Sequence, residues 1–586
     1  MGQKKHRNGT GTGARTDNNP GIDGMKAAEK AKTELKKSEK TGKKSGRTLS
    51  HALQDNRYLR MLCAAFVLAV FCVFPLVYHD YYYDILEFKC LSYTVMALMF
   101  LGLAAVVILC WLFADVKKYG GRAAGEFVDR IVPWHWGKYP RYLQCLLAFW
   151  AFTALSTLCS EWREEAWTGS EGRYSGLLMI SLYVLTTILV AAYGDVRRWF
   201  LDAFLAVSLF MAVFGITDYF RMDMLGFKAM EVGNSAADIF TSTIGNVNTY
   251  TGFLALPAGV AAALFCVETV LWRRILYFGA AFVFYLALFT GQSDNAYLAL
   301  AALFCALPFF LWRNRRGFAS YVLLIAGFAS AVLLAGWWKA AYADTVIHYD
   351  GVIDVLMKIP YARGIAVLLW AAGAGLTVWA GRESTAVGAG SASGNGEKEE
   401  KIFTLLRRGW GIFLAVSFLT VVFVLFDANG GGHPERYEAI HNYVVFSDDW
   451  GVQRGFAWRI GWQEYKELSF ARKLLGSGPD TYGLLTESHW QEGIDKYGFY
   501  YESAHNEYFQ YFVTIGPLAT LAYVGFLVFS LWRMAKRSGL QPWLLAPCMA
   551  VLCYAAQAVV NISIPIAAAV MWAMMAYGLA GCRDER

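Results

Sequence analysis

The chain has 586 residues, of which 56% are apolar, 16% are aromatic and only 17% are charged. With its apolar residues gathered in long runs, this composition excludes a soluble globular protein and predicts a membrane protein. The net charge of +7 comes mostly from the N-terminal tail and does not predict nucleic-acid binding.

The N-terminal segment 1–58 is rich in Lys, Gly, Ser and Thr and poor in apolar residues. Such a segment cannot bury a core, so we predict a disordered basic cytoplasmic tail. Basic residues beside the first span can attract anionic lipids, while the simpler interpretation is a solvated tail that sets the topology. A second flexible linker, rich in Gly and Ser, is predicted over 388–398.

Apolar runs account for most of the remaining chain. A helix needs roughly 20 residues to cross about 30 Å of hydrocarbon, and only helices satisfy their own backbone in lipid without closing into a barrel. The sequence therefore predicts an all-α polytopic membrane protein with about 14 (12–14) transmembrane helices. About eleven form a bundle over 59–426, and the C-terminal spans lie within 506–582. The predicted positions are 60–79, 90–114, 141–159, 176–194, 199–217, 249–271, 275–291, 296–312, 318–337, 362–381, 409–426, 506–532, 541–560 and 564–581.

Basic hairpins alternate with basic-poor loops along the chain. Arg197-Arg198, Arg273-Arg274 and Arg313-Asn-Arg315-Arg316 join spans on one side. Because Lys and Arg in short loops favour the cytoplasm, we place these hairpins and both termini there. The polar segment 427–505 then forms one large extracytoplasmic loop, or lid, that contains short helices. None of the 11 cysteines lies in this loop, so neither a disulfide framework nor a cysteine-based metal site is expected.

The outer loop after the third span contains Arg173, close to the start of the fourth span. Two interpretations stay open for this side chain. It can extend to the membrane interface, as long basic side chains do, or it can contact an anionic headgroup.

Two asparagines and a tight turn mark the next outer loops. Gly245-Asn246-Val-Asn248 directly precedes the sixth span, and helix capping accounts for only one of these two Asn residues. The other can hydrogen-bond to other spans or to a sugar. The turn 290–295 contains Asp294, whose charge near the membrane face predicts an ion pair with a neighbouring Arg.

The long loop 427–505 is predicted to contain an amphipathic helix over 455–475. Apolar residues recur there at helical spacing and a glycine follows: Phe456, Ile460, Leu468, Leu475 and Gly476. Three polar residues share one face: Arg459, Gln463 and Lys466. Such a face is usually only solvated, but here it lies over a membrane site, so Arg459 is a candidate ligand of an anion.

His505 and Asn506 follow the long loop, in what we predict to be the first turn of the twelfth span. The unpaired amides and the helix dipole favour an anion at this position. A histidine there can have a pKa near neutrality and act as a general base. The alternative is a histidine that only forms hydrogen bonds at the start of the helix.

Together, these motifs resemble the O-antigen ligase and O-antigen polymerase superfamily of bacterial envelope glycosyltransferases. The resemblance covers residues 140–580 and rests on four motifs, of which the last two are the most specific. They are Gly245-Asn246-Val-Asn248; the turn 290–295; Arg459-Ile-Gly-Trp462 with Gly476-Ser-Gly-Pro-Asp480; and Ala504-His505-Asn506-Glu-Tyr508 with Ile515-Gly516-Pro-Leu518.

The resemblance implies that a glycan moves from a polyprenyl (undecaprenyl) diphosphate donor to a saccharide, lipid or protein acceptor. Transfer would take place at the outer face of the cytoplasmic (inner) membrane, without a metal or cofactor. Arg459 is then expected to bind the donor diphosphate, because guanidinium binds phosphate oxygens bidentately, and His505 to act on the acceptor hydroxyl. The family often has Ser-Arg where this chain has Ser293-Asp294. In the family, that Arg is thought to hold the donor diphosphate, so the resemblance implies that other basic residues bind the diphosphate here. With the asparagines, the substrate-binding candidates are Arg173, Arg363, Arg454, Asn246, Asn248 and Asn506.

Two alternatives come from other functional classes. A polysaccharide or lipid-linked oligosaccharide transporter or flippase fits the number of spans, although the large outer loop with its Arg and His residues disfavours it. A non-catalytic membrane scaffold of envelope assembly is the second. The short cytoplasmic loops contain no nucleotide-binding motif, which argues against an ATP-driven pump. Ligase and polymerase activities are not separated by these residues.

Overall fold

The computed structural model describes residues 53, 56–121, 125, 133–170, 173–228, 238–348, 351–387 and 395–583. Most of the predicted tail 1–58 and of the predicted linker 388–398 lies outside these residues. The chain divides into two compact units. The smaller contains Met1–Asn56 and Ile108–Trp134, and its described part is mainly the C-terminal end of one helix. The larger contains Arg57–Val107 and His135–Arg586 and holds the remaining helices.

The described chain is mostly helical. Its helices are α1 (Arg57–Leu68), α2 (Ile85–Tyr119), α3 (Arg141–Cys159), α4 (Arg163–Thr168), α5 (Leu177–Tyr193), α6 (Trp199–Tyr219), α7 (Val247–Val267), α8 (Leu271–Thr290), α9 (Asn295–Leu311), α10 (Arg315–Ala341), α11 (Val352–Met357), α12 (Ala362–Val387), α13 (Asn395–Asn429), α14 (His441–Val444), α15 (Trp450–Glu467), α16 (Phe470–Leu475), α17 (Tyr482–Leu485), α18 (Trp490–Tyr497), α19 (Glu507–Thr514), α20 (Gly516–Arg537), α21 (Leu545–Gln557) and α22 (Pro565–Gly581).

Short irregular segments complete the chain. A π-helical turn, Ala69–Val73, and a 3₁₀ turn, Phe74–Leu76, extend α1. Further 3₁₀ turns are Pro133–Lys138, Pro434–Ile440, Glu487–His489, Pro542–Leu544 and Ala558–Val560. Two antiparallel strands, β1 (Phe240–Thr241) and β2 (Gly245–Asn246), pair immediately before α7.

Eleven helical segments of the described chain are long and apolar enough to cross a membrane, which confirms an all-α, multi-pass membrane protein. They are Arg57–Leu76, Ile85–Lys118, Arg141–Cys159, Trp199–Tyr219, Val247–Val267, Leu271–Thr290, Arg315–Ala341, Ala362–Gly381, Lys398–Asn429, Gly516–Arg537 and Pro542–Val560. The apolar helices α5, α9 and α22 have 17 residues each and coincide with the other three predicted positions. The total of fourteen spans stays a prediction.

Helix α7 forms the core of the bundle, and 94% of its most apolar stretch is buried. Small residues allow helix α21 to approach it closely, since a Cβ added to Gly259 would come within 2.8 Å of the backbone nitrogen of Ala550. Close backbone approach of this kind is the usual way in which helices associate in lipid. Helix α13 is the opposite case, because none of its most apolar stretch is buried.

The two ends of the bundle differ in charge. We call the end that carries Arg197-Arg198, Arg273-Arg274 and Arg313-Asn-Arg315-Arg316 the basic face. The other end is the loop face, where helices α5, α7, α9 and α22 begin and where the long loop 427–505 connects α13 to α19. That the loop face lies outside the cytoplasm stays a prediction.

Two predicted helices are broken in the structure. The single helix predicted over 455–475 is two helices, because Leu468 and Ser469 have extended backbone angles between α15 and α16. Serine is a common N-cap residue, so this break had a signal in the sequence. The stop at Gly476 is confirmed, with φ of +79°.

The span predicted over 506–532 is also two helices. Pro517 lies in the first turn of α20, and a proline inside a continuous helix removes a hydrogen bond and clashes with the preceding turn. The chain breaks at Gly516, where φ is +80°. His505 and Asn506 therefore precede the short helix α19 instead of lying in the first turn of a span.

The topology has a direct test at Ser488, an exposed residue of the long loop. In a variant without the exposed cysteines Cys110 and Cys159, we expect Ser488→Cys to react with a membrane-impermeant maleimide in intact cells with a permeable outer barrier, because the positive-inside rule places it outside. Leu540→Cys, on an exposed hairpin residue of the basic face, is the control and should react only after lysis. The reverse pattern would overturn the predicted orientation.

Candidate functional site

The candidate site lies at the loop face, where three chain segments bring together His505, Arg173 and Arg454. His505 belongs to the segment before α19, Arg173 to the segment before α5, and Arg454 to the first turns of α15. The charges of both arginines act on the His505 ring. Each of the three was a sequence-predicted site residue, and the structure places them together.

His505 is partly buried and has a left-handed backbone, with φ of +47°. Its ring meets the Tyr501 ring edge to face, with 6.5 Å between centroids. Burial, and then the positive charges of Arg173 and Arg454, lower the pKa of His505 to about 3. The imidazole is therefore neutral at pH 7 and has a ring nitrogen able to accept a proton.

Arg173 is a nearly buried cation with few partners among the described residues. Its side chain is 14% exposed, and one Nη2–Oε2 distance of 3.3 Å joins it to the more exposed carboxylate of Glu502. Within the described part of the chain, its Nε is buried without a hydrogen-bond acceptor. A buried guanidinium with a free donor is suited to bind an anion.

Arg454 follows an unusual turn at the start of α15. Gly451, Val452 and Gln453 all have left-handed backbone angles, and the Nη1 of Arg454 donates to the carbonyl of Gly451 at 2.7 Å. Val452 is β-branched, so a φ of +57° is strained for it. The turn also places the Gln453 side chain to accept a hydrogen bond from the Tyr501 hydroxyl at 3.0 Å, beside His505.

Backbone strain is concentrated around this site. Of the eleven non-glycine residues with positive φ in the described chain, five lie here: Tyr174, Val452, Gln453, Asp480 and His505. Each such conformation costs on the order of 1–3 kcal/mol, and surrounding contacts must hold it in place. Strain that collects around a few charged side chains is typical of a functional site.

Asp480, from the motif Gly476-Ser-Gly-Pro-Asp480, ties the Arg173 segment to the long loop. Its Oδ2 accepts hydrogen bonds from the backbone of Ser170 at 2.9 Å and of Ser175 at 3.0 Å. The Ser170 hydroxyl in turn donates to the Asp480 carbonyl at 2.6 Å. Burial raises the pKa of Asp480 to about 6. The motif therefore acts by positioning Arg173.

The same motif meets the junction of α19 and α20 through glycines. The backbone N–H of Gly478 donates to the carbonyl of Thr514 at 2.7 Å. A Cβ on Gly476 would come within 2.2 Å of that carbonyl oxygen, and one on Gly516 within 2.1 Å of the carbonyl oxygen of Leu474. The two most specific motifs of the sequence are thus in direct contact in the fold.

A matched pair of substitutions tests this contact. Gly476 and Gly498 both have φ near +80°, but only Gly476 has backbone atoms where a Cβ would lie. We expect Gly498→Ala to cost about 1 kcal/mol from strain alone, and Gly476→Ala to cost on the order of 3 kcal/mol. Thermal unfolding in mild detergent, followed by tryptophan fluorescence, measures both. Equal destabilisation would contradict the close contact.

Arg459 belongs to an ion-pair network of the long loop. Its guanidinium donates to both carboxylate oxygens of Asp448, at 2.8 and 3.1 Å, and to Glu492 at 2.5 Å. Its contact with Gln463 at 3.1 Å confirms that these two residues share a helix face. The Arg459 guanidinium lowers the pKa of Asp448. A diphosphate at Arg459 would have to displace these two carboxylates.

Donor binding by Arg459 is testable because its carboxylate partners are known. Arg459→Lys loses the planar guanidinium that binds two phosphate oxygens at once. We expect it to reduce glycan transfer at least tenfold while the amount of protein in the membrane stays normal. Asp448→Asn combined with Glu492→Gln releases the guanidinium and should then tighten the binding of undecaprenyl diphosphate. Unchanged donor affinity in that double variant, together with a less stable loop, would assign Arg459 to the internal ion pairs alone.

The asparagine motif and the tight turn form a second polar cluster. Asn246 caps α7, its side chain accepting from the Asn248 N–H at 2.9 Å. The Asn248 side chain accepts from the Ser293 hydroxyl at 2.6 Å, and its carbonyl accepts from the Asn295 amide at 3.0 Å. Capping is therefore confirmed for one asparagine, and the other joins two helices. Their binding of a substrate stays a prediction.

The remaining predicted residues occupy separate places. Asn506 is the N-cap of α19, its side chain accepting from the Phe509 N–H at 3.0 Å. Arg363 is exposed at the start of α12 and makes no hydrogen bond or ion pair with the other candidates in the described residues. Asp294 accepts from the backbone of Val352 at 3.2 Å, and no ion pair with an Arg is found for it in that part of the chain.

Two polar residues near the site were missed in the sequence. Asn561 donates to the Asn248 carbonyl at 2.9 Å, and the Ser563 carbonyl accepts from Ser175, two residues from Arg173, at 2.9 Å. The segment around Asn561 thus links the asparagine cluster to the arginine site. Its signal was the polar run Asn-Ile-Ser between two apolar spans.

Glu507 was missed as well. It is 2% exposed, and it accepts a hydrogen bond from the Tyr523 hydroxyl at 2.6 Å and from the Tyr554 hydroxyl at 3.4 Å. A buried carboxylate needs such donors. An acidic residue at the start of an apolar helix was the available signal, and this contact fixes α19 against α20 and α21, two residues from His505.

The chain matches no described protein family, and no curated protein is significantly similar to it. Among the described residues, no group of three or more His, Cys, Asp or Glu side chains is arranged to hold a metal ion. Metal independence stays a prediction.

Proposed function

We propose that this protein is a membrane glycosyltransferase of the O-antigen ligase or polymerase type, which moves a glycan from a polyprenyl diphosphate donor to a saccharide, lipid or protein acceptor. The motif resemblance supports the family. The observation that carries the proposal is the convergence of three segments at the loop face. Arg173 pairs with Glu502, three residues before His505. Gln453, beside Arg454, bonds to Tyr501, whose ring packs against His505. His505, Arg173 and Arg454 are the groups that such a transfer requires.

The chemistry follows from these three side chains. The acceptor hydroxyl oxygen attacks the anomeric carbon, and the bond from that carbon to the diphosphate oxygen breaks. The hydroxyl proton passes to a ring nitrogen of His505. The electron pair of the broken bond stays on the leaving diphosphate, whose growing charge Arg173 and Arg454 stabilise by charge-assisted hydrogen bonds.

Donor binding and basicity are coupled in this arrangement. In the unliganded site, Arg173 and Arg454 hold down the pKa of His505, in addition to the larger effect of burial. A bound diphosphate offsets their positive charge, so the pKa of His505 rises toward its usual value. His505 then becomes a stronger base once the donor is in place.

The experiment uses the full chain in proteoliposomes together with polyprenyl-diphosphate-linked glycans extracted from its host. We expect time-dependent release of free polyprenyl diphosphate and a glycosylated acceptor, without added nucleotide and in the presence of a chelator. Movement of intact lipid-linked glycan across the bilayer, without release of the diphosphate, would instead identify a flippase. If neither release nor movement is observed, the result would favour a scaffold.

A further inference from the structure

A separate cavity of about 300 Å³ lies at the basic face, far along the helices from the loop face. The first turn of α10 and the C-terminal end of α9 form one wall, and the connection from α20 to α21 forms the other. Its polar lining contains Arg313, Asn314 and Arg316, and its apolar lining contains Val267, Leu311 and Leu545. Neither His505 nor any other proposed transfer residue lines it.

The lining of this cavity carries the positive charges of Arg313 and Arg316. Neighbouring ionic groups are paired with each other: Arg315 with Glu399 at 2.9 Å, and Arg198 with Glu268. For Arg313 and Arg316, no carboxylate partner is found in the described part of the chain. Among those residues, Arg316 donates to the backbone carbonyl of Glu268.

Other features of the cavity also favour the binding of an anion. The α10 N-terminus contributes the partial positive charge of its helix dipole, and Asn314 caps that helix by accepting from the Gly317 N–H at 2.8 Å. On the other wall, helix α20 ends in Lys536 and Arg537, immediately before the lining residues Ser538 and Gly539. None of the described residues that line the cavity is acidic.

We propose that this cavity is a phosphate-binding site, filled by the headgroup of an anionic phospholipid or by a soluble phosphate. Arginine guanidinium groups bind phosphate oxygens bidentately, and basic cavities between transmembrane helices suit anionic headgroups. The apolar wall would accommodate the glycerol and first acyl carbons of a lipid. The proposal does not depend on the glycosyltransferase function.

The test measures phosphatidylglycerol bound to the full chain in neutral detergent, by native mass spectrometry, with phosphatidylcholine as the zwitterionic comparison. We expect bound phosphatidylglycerol in the wild type and about fivefold weaker binding for each arginine removed. The variants are Arg313→Gln alone and Arg313→Gln with Arg316→Gln. The single variant is needed because Arg316 also holds the Glu268 carbonyl.

A matched double variant removes equal charge from the same face. Arg197→Gln with Arg273→Gln leaves the cavity lining intact and should bind phosphatidylglycerol like the wild type. Equal losses in both double variants, or equal binding of the two lipids, would overturn the site.

A second measurement separates the two sources of phosphate. Inorganic phosphate is added to lipid-depleted protein at constant ionic strength, and the unfolding temperature is compared with that in chloride. Stabilisation that Arg313→Gln removes, without retained phosphatidylglycerol, assigns the site to a soluble phosphate. Retained phosphatidylglycerol without phosphate stabilisation assigns it to lipid. Absence of both responses would overturn the proposal.

Discussion

His505→Ala is expected to reduce glycan transfer at least 100-fold while leaving the binding of undecaprenyl diphosphate nearly unchanged. A general base typically contributes a factor of roughly 100 to 10,000 to the rate, and His505 is the histidine that lies with Arg173 and Arg454. The measurement pairs initial rates in proteoliposomes with donor affinity in detergent. Loss of donor affinity equal to the loss of rate would contradict a role on the acceptor.

His505→Gln separates the two roles that the imidazole can have. Glutamine can still hydrogen-bond to an acceptor hydroxyl, but it cannot take up a proton at neutral pH. If glutamine restores most of the rate, His505 only positions the acceptor. His489→Gln is the matched control, because His489 lies in the same loop and pairs with Glu464 and Glu492. It should transfer at nearly the wild-type rate.

The pH dependence gives a further readout of the same residue. Protonation removes the base, so the wild-type rate should fall as the pH drops through the pKa of His505. That pKa is about 3 in the unliganded site and rises when the donor offsets Arg173 and Arg454. We therefore expect the acid limb of the rate at saturating donor to lie at a higher pH than that of the rate at limiting donor. Coinciding limbs would contradict the coupling.

Replacing either guanidinium group, that of Arg173 or that of Arg454, is expected to have the second large effect. Arg173→Gln and Arg454→Gln should each weaken the binding of undecaprenyl diphosphate about 10–100-fold, since a hydrogen bond to a charged group contributes about 1.5–3 kcal/mol. The transfer rate should fall further, because charge grows on the leaving group in the transition state. Native mass spectrometry and proteoliposome rates measure the two effects.

Two comparisons make this prediction specific. Arg221→Gln removes a half-exposed arginine that pairs with Asp238, near the loop-face end of α6, and should leave donor affinity unchanged. Arg173→Lys or Arg454→Lys keeps the charge but loses the planar guanidinium that binds two phosphate oxygens at once. Each lysine variant should therefore recover only part of the affinity. Full recovery by lysine would show that charge alone matters, and no loss in the glutamine variants would remove both residues from the site.

The structure changes the relative weight of the candidate arginines. The sequence placed Arg459 first, because it lies in a specific motif over the membrane. In the fold its donors already contact Asp448 and Glu492, whereas Arg173 keeps a buried donor that has no acceptor among the described residues. Sequence spacing shows which residues share a helix face, but it does not show which carboxylates approach that face from residues 11 and 33 positions away.

The sequence by itself determined the membrane class and the positions of the helices. Each span is a local property, since a run of apolar residues long enough to cross the hydrocarbon must form a helix to satisfy its own backbone. Capping by Asn246 and the stop at Gly476 are local in the same sense, because they depend on a few neighbouring residues. Breaks at Ser469 and Gly516 also had local signals, in a capping residue and a proline.

The site was decided by tertiary structure. His505, Arg173 and Arg454 come from segments up to 332 positions apart, and they meet because Asp480 holds the Arg173 segment and glycines let the loop reach the α19–α20 junction. Asn561 and Ser563 join the same region through contacts with Asn248 and Ser175. The electrostatic environment of an ionisable group depends on all charges and all burial around it, irrespective of their order in the chain, so the low pKa of His505 follows only from the folded arrangement.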